Sequence, residues 1–208
     1  MEVVEREGVK GTLEKGSSGR AIVLTHGAGS NSNAPILKAV SARLSEHGWT
    51  VLRCDLPFRQ RHSGPPRPSE AAGDREGLRQ ALGVLRADAG PDARLFLGGH
   101  SYGGRQATML AAEDVGLDAA ALLLMSYPLH PPAKPQQMRT AHLPSLRSPS
   151  FFAHGSRDDF GTRAEMEQAL RQIPATTQLF VVEGSGHDLG SGKKLTFVDA
   201  FLEFVSGV

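Results

Sequence analysis

Short apolar runs alternate along the chain with longer segments in which apolar residues recur at helical spacing. Runs rich in Val, Leu, Ile and Phe are typical of strands that are covered on both faces of a sheet. They predict buried strands at residues 21–25, 50–54, 94–98, 120–125, 150–153 and 178–182. The polar segments EVVER and KGTLEK, near the start of the chain, predict a hairpin at the edge of the sheet.

The longer segments between these strands predict helices. In the first of them Ile36, Leu37, Val40 and Leu44 share one face. In another, Thr162 and Glu165 have the spacing of a capping box. The predicted helices span residues 35–47, 69–87, 102–113, 163–172 and 193–205. Strands that alternate with crossover helices predict an α/β fold, with a mostly parallel eight-stranded sheet and helices on both faces.

Composition limits the protein class without naming a function. The length of 208 residues suits one domain, predicted to span 1–208, and leaves no room for a substantial cap domain. The lone Cys54 excludes an internal disulfide, and 23 basic against 22 acidic residues argue against a nucleic-acid partner. A charged start and the short apolar run 119–125 argue against a signal peptide and a membrane span. We therefore expect a cytoplasmic protein.

The turn after the predicted strand 94–98 contains a candidate nucleophile. Gly99, Ser101 and Gly103 form the pattern G-x-S-x-G between a strand and a helix. A serine in this strained turn is exposed as a nucleophile, and side chains two residues away on either side would collide with neighbouring backbone. The alternative is a glycine-rich turn in which the serine only caps the helix.

The turn after the first buried strand reads THGAGSN at 25–31. A turn of the H-G-x-G type here can present a backbone N–H group to a developing oxyanion. The predicted donors are the N–H groups of Ala28 and of Tyr102, which follows the candidate nucleophile. The alternative is a phosphate-binding turn at a helix N-terminus. The residues match neither G-x-G-x-x-G nor a Walker A loop.

Two further strand ends carry an acid and a base. HGSRDD at 154–159 offers a carboxylate, either Asp158 or Asp159, that could orient a histidine. GSGHD at 184–188 places His187 between the last strand and the last helix, where it can act as general base and then as general acid. A solvated acidic cap is the alternative for the aspartates.

With these four stretches, the sequence resembles the α/β-hydrolase superfamily, and the resemblance covers nearly the whole chain. In that superfamily the catalytic Ser, Asp and His occur in this order along the sequence. Within the superfamily the chain is most similar to a compact branch. This branch includes a testis-expressed hydrolase-like protein and the hydrolase-like domain of a subunit of the non-specific-lethal histone acetyltransferase complex. The similarity rests on THGAGSNSNAP, FLGGHSYGGR, SYPLHPP at 126–132 and RTAHLPSL at 139–146. Dienelactone-hydrolase-like proteins are a more distant match, because their nucleophile is usually cysteine.

The resemblance implies a serine hydrolase that cleaves a small ester or thioester without a cofactor or a metal. Ser101 would be the nucleophile, His187 the base and Asp158 the orienting acid, favoured over Asp159 because it follows Gly155 by three residues, as in the acid turn of that fold. Some members of the branch serve as scaffolds, so a non-catalytic binding module is one alternative. An acyltransferase that uses the same triad is another.

Several residues near the strand ends are candidates for substrate contact. They are His26, Arg59, His100, Tyr127 and His130. Arg59 belongs to a basic segment, 59–67, that could attract a substrate anion or form a solvated rim. Tyr127 could line the pocket or pack beneath a loop. The short segment after strand 120–125 predicts a shallow, lidless site for small or extended substrates, and the oligomeric state is open.

Overall fold

In the computed structural model, which describes residues 1–190 and 195–207, eight strands form one sheet. The strands are β1 (Glu2–Arg6), β2 (Val9–Glu14), β3 (Arg20–Thr25), β4 (Thr50–Asp55), β5 (Arg94–His100), β6 (Leu122–Met125), β7 (Ser150–Gly155) and β8 (Thr177–Val182). The helices are α1 (Pro35–Glu46), α2 (Pro57–Arg61), α3 (Ala71–Ala89), α4 (Tyr102–Glu113), α5 (Arg163–Leu170) and α6 (Thr196–Phe204). Every predicted strand is present, which confirms the predicted alternation of strands and helices.

The strand order across the sheet is β1-β2-β4-β3-β5-β6-β7-β8. All neighbours from β4 to β8 in this order are parallel, whereas β1 pairs antiparallel with β2 and β2 with β4. The predicted hairpin at the sheet edge is therefore confirmed. Because the remaining strands are parallel, their carboxyl ends meet at one edge, where ligands bind in this type of fold.

Helices cover both faces of the sheet, and each face has its own apolar core. Buried residues of α3, α4 and α5 pack on one face. Residues of α1 and α6 pack on the other, where Trp49 lies between Phe96 and Phe201 with ring centroids 4.7 and 5.8 Å away. The apolar stripe of α1 faces this core, as its spacing predicts.

The structure contains short elements that the sequence pattern places in loops. The helix α2 begins at Pro57, and the buried carboxylate of Asp74 accepts the N–H of Phe58 at 2.9 Å. Single 3-10 turns lie at Pro68–Glu70 and Leu143–Ser145. Such turns have too few residues to show a helical period. The last helix begins at Thr196, and residues 193 and 194 of its predicted range lie outside the described residues.

In the described part of the chain, no separate cap covers the sheet. The segment that joins β6 to β7, described throughout, contains one 3-10 turn and otherwise no helix or strand. The Tyr127 hydroxyl donates to the Arg139 carbonyl oxygen at 2.7 Å and ties two parts of this segment together, while the Tyr127 ring packs against Phe152 of β7. Among the described residues, no helix has the length and the apolar character needed to cross a membrane.

Candidate active site

Ser101 lies in the sharp turn between β5 and α4, with φ 51° and ψ −114°. Non-glycine residues rarely adopt a positive φ, and such strain is typical of functional sites. A Cβ atom on Gly99 would lie 2.6 Å from the Gly103 carbonyl carbon. On Gly103 it would lie 2.7 Å from the His26 carbonyl oxygen. The two glycines are therefore required by close backbone approach, as predicted from the G-x-S-x-G pattern.

Ser101, His187 and Asp158 form a continuous hydrogen-bonded chain. The Ser101 hydroxyl lies 2.8 Å from Nε2 of His187. On the other side of the ring, Nδ1 lies 2.9 and 3.0 Å from the two carboxylate oxygens of Asp158. A carboxylate only accepts at neutral pH, so Nδ1 carries the proton and Nε2 accepts from the serine. Asp159 is exposed and has no such contact.

The environment of Asp158 keeps its carboxylate charged. Burial by itself raises the pKa of Asp158, but hydrogen bonds from His187 and from the Phe160 N–H outweigh it. The pKa of Asp158 therefore lies below its ordinary value. The Phe160 N–H donates to Oδ1 at 2.9 Å, so this bond also fixes the rotation of the carboxyl group.

Two contacts hold the His187 loop above Ser101. The Phe160 ring stacks on the His187 ring with centroids 4.2 Å apart and planes inclined by 29°. His100 Nε2 lies 2.8 Å from the His187 carbonyl oxygen and donates to it. Burial lowers the pKa of His100 to about 4, so its ring is neutral at pH 7. Phe160 carries no sequence signal for this role, because only the folded loop brings it over the histidine.

His154 and Asp74 also support the site, and the sequence analysis assigned neither a role. His154 is fully buried, and its Nε2 donates to the Gly161 carbonyl at 2.6 Å, which closes the turn that contains Asp158. Asp74 on α3 accepts the Tyr102 hydroxyl at 2.7 Å and so links α3 to the first residue of α4. The Asp74 contact joins residues 28 positions apart, which no local pattern reveals.

The predicted oxyanion donors lie beside the serine. Ala28, Ser101 and Tyr102 line the same cavity. Within the described part of the chain, neither the Ala28 N–H nor the Tyr102 N–H has a hydrogen-bond acceptor. The Arg59 guanidinium donates to the Ala28 carbonyl at 2.7 Å, which holds this turn in place. Two free N–H groups next to a hydroxyl are the arrangement that stabilises a tetrahedral oxyanion.

None of the five predicted substrate contacts lines the cavity, because each side chain is engaged elsewhere in the protein. Two of them are the histidines His26 and His100. His26 is 0% exposed, and its ring lies 2.9 Å from the Gly27 carbonyl and accepts the Leu56 N–H at 3.1 Å. Burial lowers the pKa of His26, consistent with a neutral ring. His100 is directed to the His187 carbonyl rather than to the cavity.

Tyr127 and His130 do not line the cavity either. Tyr127 is 1% exposed and packs beneath the loop, which decides between its two predicted placements. His130 is 5% exposed, and its Nδ1 lies 3.0 Å from the Pro131 carbonyl. Their neighbour Pro128 lines the cavity instead. All five residues of the motif SYPLH are buried, so its polar side chains are internal.

The basic segment 59–67 is mostly an internally bonded rim. Arg59, the fifth predicted contact, donates to backbone carbonyls of Ala28 and Ser63 and does not line the cavity. Glu70 accepts from Arg61 at 3.0 Å and from His62 at 3.1 Å, so it pairs with part of this segment. The hydrogen bond from the Arg67 N–H, followed by those from Arg61 and His62, lowers the pKa of Glu70 to about 2.

A cavity of about 920 Å³ opens beside Ser101. This volume lies within the range of small-molecule sites. The residues that line it are Ala28, Pro65, Pro66, Arg67, Pro68, Ser69, Ala71, Ala72, Arg75, Ser101, Tyr102, Arg105, Met109, Pro128, Arg139 and Phe160. Among the residues whose positions are described, no cluster of three His, Cys, Asp or Glu could hold a metal. Burial raises the pKa of the Cys54 thiol to about 12, so it does not compete as a nucleophile.

Comparison with known proteins agrees with the fold. Residues 18–199 match the family model described as an alpha/beta hydrolase domain. The chain belongs to the alpha/beta hydrolase family. This hydrolase is similar in structure to the protein TT1662 from Thermus thermophilus, with a TM-score of 0.75 and 24% identity over 99% of this chain and 96% of that one.

Two further solved structures resemble this alpha/beta hydrolase. A dienelactone hydrolase from Anabaena variabilis has a TM-score of 0.69 and 24% identity over 96% of this chain and 89% of that one. The protein XC6422 from Xanthomonas campestris, described as a serine hydrolase without a lid, has a TM-score of 0.75 and 17% identity over 95% of this chain and 88% of that one. These likenesses confirm the α/β-hydrolase fold that the resemblance implied.

Proposed function

We propose that the protein is a serine hydrolase that cleaves a small ester or thioester through an acyl-enzyme intermediate. The observation that carries the proposal is the hydrogen-bonded chain from Ser101 through His187 to Asp158. It ends at a strained serine beside two unpaired N–H groups and a cavity of about 920 Å³. A nucleophile, a base with an orienting acid, and an oxyanion site are the parts that acyl transfer needs.

The reaction follows from the positions of these atoms. As the Ser101 Oγ bonds to the acyl carbon, its proton moves to Nε2 of His187. Asp158 stabilises the imidazolium, and the Ala28 and Tyr102 N–H groups bind the oxyanion. His187 then gives the proton to the departing alkoxide or thiolate. In the second half of the reaction, His187 takes a proton from a water molecule that attacks the acyl carbon. His187 then returns this proton to Ser101 Oγ as the bond between Oγ and the acyl carbon breaks, which releases the carboxylic acid and free Ser101.

The absence of a separate cap supports substrates that are small or extended. The cavity is bounded by the 65–72 segment, α4 and the Pro128 region, and no additional domain encloses it. One structural neighbour is described as a serine hydrolase without a lid, which agrees with this arrangement. The resemblance to the compact branch stays a prediction.

The test is labelling with a fluorophosphonate, together with a panel of p-nitrophenyl esters and acyl thioesters of varied chain length. We expect wild-type protein to be labelled and Ser101→Ala to lose labelling and hydrolysis, the latter by several orders of magnitude. Ser145→Ala, at an exposed 3-10 turn, is the matched control and should behave as wild type.

The same experiment separates the alternatives. If the wild-type protein is not labelled under conditions that label a reference serine hydrolase, the result contradicts the enzyme proposal and favours a non-catalytic binding module. Labelling that leads to ester or amide products when alcohols or amines are added would favour an acyltransferase. Release of free acid in their presence supports hydrolysis.

A further inference from the structure

The cavity beside Ser101 has an unbalanced charge. Four arginines line it, namely Arg67, Arg75, Arg105 and Arg139, and its described lining contains no aspartate or glutamate. Much of the remaining lining is apolar, with three prolines at 65, 66 and 68, and with Met109 and Phe160. The chain as a whole carries a net charge of only +1, so the positive charge is a local property of this site.

Three of these arginines have no acidic partner. Arg75 pairs with Glu113 at 2.8 Å and also contacts the Gln106 side chain at 3.2 Å. Within the described parts of the chain, no carboxylate lies within 4.0 Å of the guanidinium groups of Arg67, Arg105 or Arg139. This distinguishes them from Arg61 on the rim, which Glu70 neutralises.

Arg105 is placed to act on the same molecule as Ser101. It lies one helical turn after Ser101 on α4, and Met109 lies one turn further, so the three share the face that lines the cavity. Its Nε is buried, and no acceptor for it exists among the residues that the structure describes. Buried donors almost always have partners, so this N–H group is open to an acceptor from outside the chain, which water or a bound anion can supply.

Arg139 brings a second positive charge to the cavity from the segment between β6 and β7. Its Nη1 donates to the Pro128 carbonyl at 3.2 Å, and the side chain is only partly exposed. Burial and then the nearby charge of Arg105 lower the pKa of Arg139. Two like charges in a partly desolvated place repel each other, and an anion between them would remove the repulsion.

We propose that the cavity selects esters or thioesters that bear a compact oxyanion, a carboxylate or a phosphate, bound by Arg105 and Arg139 while the reacting carbonyl faces Ser101. This inference rests on the proposed hydrolase function and names its substrate class. The planar guanidinium matches both oxyanions with paired N–H donors. The prolines and Met109 provide an apolar wall for the chain that joins the anion to the ester.

The kinetic test uses substrate pairs that differ in one charge. On the acyl side, mono-p-nitrophenyl adipate is compared with p-nitrophenyl hexanoate. On the leaving-group side, 4-acetoxybenzoate is compared with its methyl ester. We expect wild-type kcat/KM to favour the anionic member of at least one pair by about tenfold, the size of one charge-assisted hydrogen bond. Arg105→Gln and Arg139→Gln should each abolish most of that ratio, whereas Arg171→Gln, an exposed arginine outside the cavity, should preserve it.

A binding test makes the inference independent of turnover. Ser101→Ala is titrated by calorimetry with monomethyl adipate, dimethyl adipate and hexyl phosphate. Tighter binding of either anion, lost when Arg105→Gln is added, supports the proposal and shows which oxyanion is preferred. Equal binding of the charged and neutral adipates together with no binding of hexyl phosphate overturns it. Wild-type protein that hydrolyses neutral esters without preference for anions overturns it too, while the hydrolase function stands.

Discussion

Replacing Asp158 by Asn tests whether this carboxylate sets the proton position on His187. The asparagine has nearly the same shape, but its amide group has one acceptor and one donor end. Phe160 N–H donates to Oδ1 of the present carboxylate at 2.9 Å, and we expect it to hold the asparagine oxygen. The NH₂ group then faces Nδ1 of His187. This arrangement favours the tautomer with the proton on Nε2, which cannot accept the Ser101 proton.

The size of the expected rate loss in Asp158→Asn follows from the contacts of this carboxylate. It accepts from Nδ1 at 2.9 and 3.0 Å, and it is the acidic group that stabilises the imidazolium. In a Ser-His-Asp triad the same change lowers kcat by about 10⁴-fold, or ~5 kcal/mol of transition-state stabilisation. We therefore expect Asp158→Asn to lower hydrolysis of the best p-nitrophenyl ester, and the rate of fluorophosphonate labelling, by about three to four orders of magnitude.

The control is Asp159→Asn, which makes the same substitution at the exposed neighbouring residue. It should keep wild-type activity and labelling. Thermal unfolding of both variants separates loss of chemistry from loss of fold. If folded Asp158→Asn retains activity within tenfold of wild type, or if Asp159→Asn is the damaged variant, the assignment of Asp158 as orienting acid is refuted.

Two further predictions concern stability. In a urea titration, Gly103→Ala should lower the free energy of unfolding by about 1–3 kcal/mol, since its Cβ would lie 2.5 Å from the Thr25 hydroxyl. The control Gly83→Ala, in an open part of α3, should raise the free energy of unfolding by up to ~1 kcal/mol. Glu70 has a folded pKa of about 2, so its stabilisation is present above its ordinary pKa and is lost as the pH falls towards 2. The unfolding free energies of wild type and Glu70→Gln should differ at pH 7 and converge between about pH 4.5 and 2; a constant difference would contradict the rim contacts.

The sequence pattern determined the order and type of the main elements, because each depends on nearby residues. Six apolar runs and two polar segments near the start of the chain identified the eight strands. The spacing of Thr162 and Glu165 identified a capping box that the structure contains. The short helix α2 and the 3-10 turns escaped this reasoning, because they have too few residues to show a period. The start of α2 depends instead on Asp74, which contacts Phe58 across the fold.

The positions of Ser101, Asp158 and His187 could also be predicted from the sequence, because each residue follows a strand and the carboxyl ends of parallel strands converge. The contacts of the other side chains near these strand ends could not be predicted. The histidines at 26, 100 and 130 looked like substrate contacts but bond to backbone carbonyls. Phe160 belongs to no motif, and Arg139, although it begins the stretch RTAHLPSL, had no predicted role, yet both line the cavity. Sequence fixes which chemical groups stand at a strand end, whereas burial and side-chain direction depend on residues distant along the chain, which only the tertiary structure brings together.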